Sequence, residues 1–152
     1  MIKVTIEASS VQQVQQRLQN LPPELVAEVH KALKPLIYQS LRSGVPKYFT
    51  GTGGSGSNLL ASRSGNLLNS VLQSIQATSD GRDLVVSIGS NLPYAAIHEY
   101  GGYAGRRGPF RKKDGKRPYL RPRPYLHPAM RDLEQVLPAL VEQALQQAQV
   151  AL

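Results

Sequence analysis

The sequence contains no cysteine, which excludes disulfide bonds and thiolate metal sites and suits a reducing compartment. It also lacks any run that approaches the ~18 consecutive apolar residues of a membrane-spanning helix, so we expect no membrane contact. Residues 1–10 alternate apolar and polar side chains and have neither the basic start nor the apolar core of a signal peptide. With a length of 152 residues, these absences predict a single domain that spans residues 1–152.

The positive charge of the chain is concentrated in one segment. Residues 106–123 contain nine of the 18 basic residues and one of the 10 acidic residues, which gives this segment a net charge of +8. The other nine basic and nine acidic residues cancel each other. This distribution predicts a neutral body that carries one basic loop, over about residues 103–117, and the loop suggests a contact made at one place.

Apolar periodicity predicts a strand and two helices in the first third of the chain. Ile2, Val4 and Ile6 alternate with polar residues, as in a half-buried strand. A short helix follows, with Ser9 or Ser10 as its N-cap. A longer helix begins at Pro22–Pro23, and Pro35 inside it predicts a kink or a break. The apolar residues of the two helices are Val11, Val14, Leu18, Val26, Val29, Leu33, Leu36, Ile37 and Leu41.

The middle of the chain predicts a flexible loop, a hairpin and a short helix. Residues 50–58 are rich in glycine and serine, a composition typical of flexible loops. Residues 64–70 predict a turn, with one helical turn as an alternative, and residues 71–78 and 84–88 predict a hairpin. Residues 91–100 predict a short helix that ends at the following glycines.

Prolines control the expected structure of the last third. Residues 118–128 contain too many prolines for a helix and should be extended. The last helix is expected from about Pro128 to the chain end, with a bend at Pro138. The order of elements predicts an α+β fold, with a small, mainly antiparallel sheet packed by helices, a long basic loop and a C-terminal helix.

Two motifs match the letters of catalytic signatures without their context. Gly51–Gly56 spells a dinucleotide-binding fingerprint, but no strand precedes it and no helix follows it directly. His98 and Glu99 resemble the start of a zinc-protease helix, but Gly102 stands where the second histidine would be needed. We therefore predict no catalytic, cofactor-binding or metal-binding residues, and a protein that is not an enzyme.

The basic loop allows three interpretations. In the first, the loop is a solvated hairpin tip without a partner. In the second it binds an acidic neighbouring protein, and in the third it faces DNA. Interleaved aromatic residues (Tyr103, Phe110, Tyr119 and Tyr125) could stack on bases or pack at a subunit interface. The candidate residues for contact with DNA or an acidic partner are Arg106, Arg107, Arg111, Lys112, Lys113, Lys116 and Arg117.

Two segments carry the strongest functional signal. Residues 92–102 read Leu-Pro-Tyr-Ala-Ala-Ile-His-Glu-Tyr-Gly-Gly, and residues 123–130 read Arg-Pro-Tyr-Leu-His-Pro-Ala-Met. Together they resemble the tail-completion or virion-morphogenesis family of tailed phages. That family typically shows a Tyr-Ala…Glu-aromatic-Gly segment, a variable loop, and Arg-Pro-aromatic-Leu-x-Pro-Ala before a C-terminal helix. Residues 64–70 also look like the family's Ser/Thr-Gly-x-Leu-x-x-Ser segment.

The resemblance assigns ten positions to the family motif and to a subunit interface. An Arg-Pro-aromatic-Leu unit occurs twice, at residues 117–120 and 123–126, and we align the second because it precedes Pro128 and Ala129. The ten positions are Tyr94, Ala95, Glu99, Tyr100, Gly101, Arg123, Pro124, Tyr125, Leu126 and Pro128.

The same residues suggest local packing. We expect Tyr94, Ile97 and Tyr100 to pack one helix face on the sheet. We expect residues 123–126 to form a stiff arm that inserts an aromatic residue and a leucine into a groove, and Glu99 to pair with Arg123.

The resemblance implies a structural virion protein in the tail or neck, assembled in the host cytoplasm. It would complete the tail and join it to the head connector as a homo-oligomeric ring, with six copies implied by tail symmetry and heterologous contacts between them. Implied partners are the head–tail connector or adaptor, the tail terminator, the tail tube and genomic DNA in the channel. We expect the glycine-rich loop and the basic loop to be mobile in the free subunit and to become ordered in the ring. The alternative is a stand-alone nucleic-acid-binding domain that uses basic residues 106–123.

Overall fold

The computed structural model describes residues 1–7, 12–51, 59–60, 65–80, 83–103 and 117–150. Residues 52–58 of the glycine-rich loop and residues 104–116 of the basic loop lie outside this range, as do Ser9 and Ser10. Within the described ranges, none of the helices combines the length and the hydropathy needed to cross a membrane.

A three-stranded antiparallel sheet forms one layer of the fold. Strand β1 (Ile2–Glu7) and strand β2 (Gln76–Asp80) flank the central strand β3 (Asp83–Ser90). Val4 lies opposite Ile88, and Thr78 lies opposite Val85. The predicted N-terminal strand and the predicted hairpin are therefore confirmed.

The first strand of that hairpin begins later than the sequence suggested. Asn66–Gln73 forms helix α3, so the alternative of a helical turn is confirmed at residues 66–70, and the expected strand at residues 71–73 is wrong. Leu67 and Val71, one helical turn apart, are both buried, whereas Asn69 between them is exposed, although it would share their face in a strand. The strand β2 starts only after Ile75.

Two helices connect β1 to α3. Helix α1 (Gln12–Gln19) buries Val14 and Leu18, and helix α2 (Pro23–Gly44) begins with proline at its first position. Of the two outcomes predicted at Pro35, the break is wrong, because helical structure continues on both sides of this residue, and the kink stays a prediction. One face of α2 lies in the core and consists of Val26, Val29, His30, Leu33, Ile37 and Leu41.

A 3₁₀ turn (Val45–Phe49) continues from α2 and brings Val45 and Phe49 into the core. On its outer side, Lys47 and the Tyr48 hydroxyl both bind the carboxylate of Asp132. Burial alone would raise the pKa of Asp132, but these hydrogen bonds outweigh burial and hold that pKa below its ordinary value. The cluster attaches the turn to the last helix.

The last third contains a short helix, a two-stranded ladder and a long helix. Helix α4 (Ala95–Tyr100) is shorter than expected, and β4 (Gly102–Tyr103) pairs antiparallel with β5 (Tyr119–Leu120). Helix α5 (Leu126–Val150) starts two residues before Pro128, passes through Pro138 and packs mainly on α2. Helices and antiparallel sheets share one hydrophobic core, so the predicted α+β class is confirmed.

Candidate functional site

The site is built where α4 meets the arm that leads into α5. Gly101 ends α4 with a φ of +74°, a conformation that L side chains rarely adopt. A Cβ atom at this position would lie 2.8 Å from Cδ of Pro122 and 3.0 Å from the carbonyl oxygen of Leu120. Only glycine therefore lets the two segments approach this closely.

Glu99 caps the N-terminus of α5 from another helix. One carboxylate oxygen (Oε2) accepts hydrogen bonds from the backbone N–H groups of Tyr125 and Leu126, at 2.7 and 2.9 Å. The other (Oε1) accepts from the backbone N–H of His127 at 3.0 Å and lies 2.6 Å from its ring Nδ1. A helix start leaves such N–H groups without intrahelical partners and favours negative charge. The buried carboxylate satisfies three of them at once.

Tyr125 fixes the arm to α4 a second time. Its side chain is fully buried, and its hydroxyl donates to the carbonyl oxygen of Ala95 at 3.1 Å. Its ring packs on Phe49 with the ring centroids 5.1 Å apart, and burial raises the pKa of Tyr125 far above its ordinary value. Leu126 is also fully buried, so the predicted insertion of an aromatic residue and a leucine is confirmed.

Arg123 joins the arm to α4 through its backbone. Its N–H donates to the carbonyl oxygen of His98 at 2.7 Å. Burial, and then the charge of Arg123, lower the pKa of His98. Glu99 binds the start of α5 and the ring of His127, and its predicted pairing with Arg123 stays a prediction.

The expected packing of Tyr94 and Tyr100 on the sheet is wrong. These side chains are 39% and 59% exposed, whereas Ala95 and Glu99 are the buried residues of α4. The helix packs against the arm, so the small and the acidic side chains face inward. The outer rings instead contact histidines, with ring centroids 5.9 Å apart for Tyr94 and His98 and 5.7 Å for Tyr100 and His127.

The predicted family positions therefore divide into two groups. The buried group holds α4 to the arm, and the other group lies at the surface or half-buried; contact of either group with a neighbouring subunit stays a prediction. The buried residues are Ala95, Glu99, Tyr125 and Leu126, and the others are Tyr94, Tyr100, Gly101, Arg123, Pro124 and Pro128. Among the basic candidates, Arg117 is exposed beside β5, and Arg106, Arg107, Arg111, Lys112, Lys113 and Lys116 lie outside the described residues.

The third family-like segment, residues 64–70, also makes structural contacts. Gly65 precedes α3 with a φ of +72°, and the Ser70 hydroxyl lies 2.9 Å from the Ser90 hydroxyl at the end of β3. Nearby, the Ser74 hydroxyl donates to the carbonyl oxygen of Gly89 at 2.7 Å and accepts from its N–H at 2.8 Å. These bonds hold α3 against the end of the central strand.

Sequence reasoning missed His127 and Phe49 as partners in the site. His127 lies 28 residues from Glu99, and Phe49 lies in a turn far from Tyr125 in the chain. The one available signal was the carboxylate itself, which stands in an otherwise apolar stretch and needs a partner once buried. Over the described ranges, no three histidine, aspartate or glutamate residues are grouped so that they could hold a metal ion.

Comparison with known protein families gives a match over most of the chain. A profile of the phage virion morphogenesis family matches residues 36–146, nearly three quarters of the 152-residue chain. No curated protein matches the chain significantly, and no solved structure does so either. The matched range contains α3, both predicted motif segments and the capped helix start. The chain therefore belongs to the phage virion morphogenesis family and has a role in building the virus particle.

Proposed function

We propose that this protein is a tail-completion component of the phage neck, which acts without catalysis as one copy in a homo-oligomeric ring. The ring, of six copies by tail symmetry, would join the tail to the head connector or adaptor, beside the tail terminator and the tail tube. The protein would be assembled in the host cytoplasm and remain in the tail or neck of the virion.

The observation that carries this proposal is that the buried carboxylate of Glu99 is fully occupied by structural hydrogen bonds. A buried carboxylate in a cleft is a candidate general base, but here both oxygens are bound to backbone N–H groups or to His127. Its function is to hold the base of the β4–β5 hairpin firmly on the longest helix. A body held together in this way, with its excess of positive charge in residues 106–123, suits an adaptor between other proteins.

Deletion of the gene from the phage tests this proposal. We expect full heads and separate tails to accumulate in electron micrographs, and supply of the protein in trans to restore infectious particles. Native mass spectrometry of the purified neck should show a ring of this chain. Deletion particles that keep firmly attached tails and remain infectious would exclude the proposed role.

One observation favours a second candidate, a stand-alone nucleic-acid-binding domain. The net charge of +8 in residues 106–123 is sufficient for several phosphate contacts. If the protein made six to ten such contacts, raising the salt concentration from about 0.05 to about 0.2 M would lower its affinity for duplex DNA by about 10³–10⁵-fold. Strong, salt-sensitive duplex binding together with normal particles from the deletion phage would support this candidate over the neck role.

A further inference from the structure

The β4–β5 ladder carries an exposed face of tyrosine and arginine. Tyr103 and Tyr119 pair across it with ring centroids 5.3 Å apart, and they are 69% and 57% exposed. Arg117 and Arg121, also exposed, stand two residues before and after Tyr119. The two arginines therefore stand on either side of Tyr119 along the chain, next to the tyrosine pair. We name these four residues the tyrosine–arginine face.

The hydrophobic core does not account for these rings. Tyr125 on the neighbouring arm is fully buried, whereas Tyr103 and Tyr119 leave most of their surface in water. Tyrosine and arginine are enriched at the energetic centres of protein interfaces, where lysine is depleted. The surrounding segments, residues 93–103 and 117–131, contain four arginines and no lysine. This composition indicates a protein-binding surface.

Charge specifies the kind of partner. The single acidic residue of those two segments is Glu99, which is buried and bound to the start of α5. No acidic side chain of these segments therefore offsets the exposed arginines. A sister copy offers no surplus of acid in return, because the chain outside residues 106–123 has no net charge. A different molecule with a surplus of acidic residues is therefore the better complement in charge.

Duplex DNA would match the charge but not the rings. In a duplex the base faces are stacked on one another, so the tyrosines would find phosphates and sugars rather than stacking partners. An acidic protein surface can supply both carboxylates for the arginines and apolar pockets for the rings. Building on the proposed neck function, we propose that the tyrosine–arginine face is the docking site for an acidic surface of a different virion protein.

Photocrosslinking within assembled particles tests this inference and identifies the partner in the same experiment. The full-length variant Tyr119→p-benzoylphenylalanine is supplied to the deletion phage, and purified virions are irradiated and analysed by mass spectrometry. The matched control is Val136→p-benzoylphenylalanine, at an exposed position of α5 outside the face. We expect crosslinks from position 119, and not from position 136, to an acidic segment of another virion protein.

Other crosslinking results would overturn the inference. Crosslinks from position 119 to DNA or to a sister copy, or equal yields at both positions, would each do so. Absence of the protein from purified virions would instead refute the proposed neck function. The two failures are therefore distinguishable.

The virion protein that crosslinks to position 119 is then purified, and its affinity for this chain provides the quantitative test. The double variant Tyr103→Ala, Tyr119→Ala should weaken its binding by roughly 30-fold or more, as expected for residues at an interface centre. The variant Arg117→Gln, Arg121→Gln should also weaken it, whereas Arg42→Gln, at an exposed position of α2, should not. Unchanged affinity in both double variants would overturn the inference.

Discussion

The carboxylate of Glu99 accepts a hydrogen bond from the backbone N–H of Leu126 at 2.9 Å, so α4 caps a helix that begins 27 residues later. Helix starts are usually capped by a Ser, Thr, Asp or Asn just before the first turn. Residues 121–125, Arg-Pro-Arg-Pro-Tyr, contain none of these. Because the cap comes from α4, the same hydrogen bonds that satisfy the start of α5 also hold α4 next to it.

Removal of the Glu99 charge should destabilise the protein. Glu99→Gln replaces one acceptor oxygen by an NH₂ group that faces backbone donors, and it removes negative charge from the helix start. Hydrogen bonds to charged groups contribute about 1.5–3 kcal/mol each, so we expect a loss of roughly 3 kcal/mol in the free energy of unfolding. Urea denaturation would measure it. Glu134→Gln, at an exposed position of α5, is the control and should change little, and equal midpoints for both variants would contradict the capping role.

Two glycines should respond in opposite directions to replacement by alanine. Gly101→Ala places a Cβ in a left-handed conformation and against Pro122, so we expect a loss of about 1–3 kcal/mol. Gly44→Ala lies at the end of α2 with a φ of −82° and open space around the new atom, so a gain of about 0.4–1 kcal/mol is expected. Thermal unfolding of both variants checks this pair. A similar shift of both melting temperatures would show that the close approach at Gly101 is unimportant.

The hydroxyl of Tyr125 should contribute measurably to stability. Tyr125→Phe leaves the ring on Phe49 but removes the donor to the carbonyl oxygen of Ala95, and loss of one buried hydrogen bond costs about 1 kcal/mol. Tyr119→Phe is the matched control, because its ring is exposed and such surface changes stay within about 0.5 kcal/mol. Chemical denaturation of the two variants should separate them. Equal stability would mean that water replaces the lost donor.

Periodicity predicted those parts of the fold that depend on neighbours in the chain. The alternation of Ile2, Val4 and Ile6 gave β1, and the apolar spacing after Pro23 gave α2. The break that Pro35 allowed does not occur, because burial of one face of α2 maintains the helix on both sides of the proline. Local propensity alone would have ended it there.

The sequence predicted which residues belong to the site, but it did not predict their hydrogen-bond partners or the orientation of α4. The sequence placed Glu99 and the Pro-Tyr-Leu arm together through a family resemblance. The actual partners of Glu99 are backbone N–H groups, which no sequence pattern distinguishes. The orientation of α4 failed for a related reason, since a six-residue helix has too few apolar positions to define a face. The orientation of α4 follows from the contact of the Glu99 carboxylate with the start of α5.

His30 is a buried histidine whose two ring nitrogens have no hydrogen-bond partner among the described residues. It lies on the inner face of α2 and is 2% exposed. Burial, and then the charge of Lys34, lower the pKa of His30 below 6.5, while Asp83 acts weakly in the opposite direction. The folded protein therefore keeps this ring neutral.

This neutral ring should make stability decrease in acid. Because the pKa of His30 is lower in the folded state, the unfolded chain binds more protons, so stability is complete above 6.5 and is lost as pH falls from there through the folded pKa. His30→Leu removes the titrating group without leaving an unpaired polar atom, so it should flatten the fall in melting temperature between about pH 7.5 and about pH 5. The variant His98→Gln serves as the comparison in the same measurement. It removes a half-buried histidine whose pKa is also lowered by burial and by Arg123. Parallel curves of melting temperature against pH for the wild type and His30→Leu would show that His30 does not control the acid response.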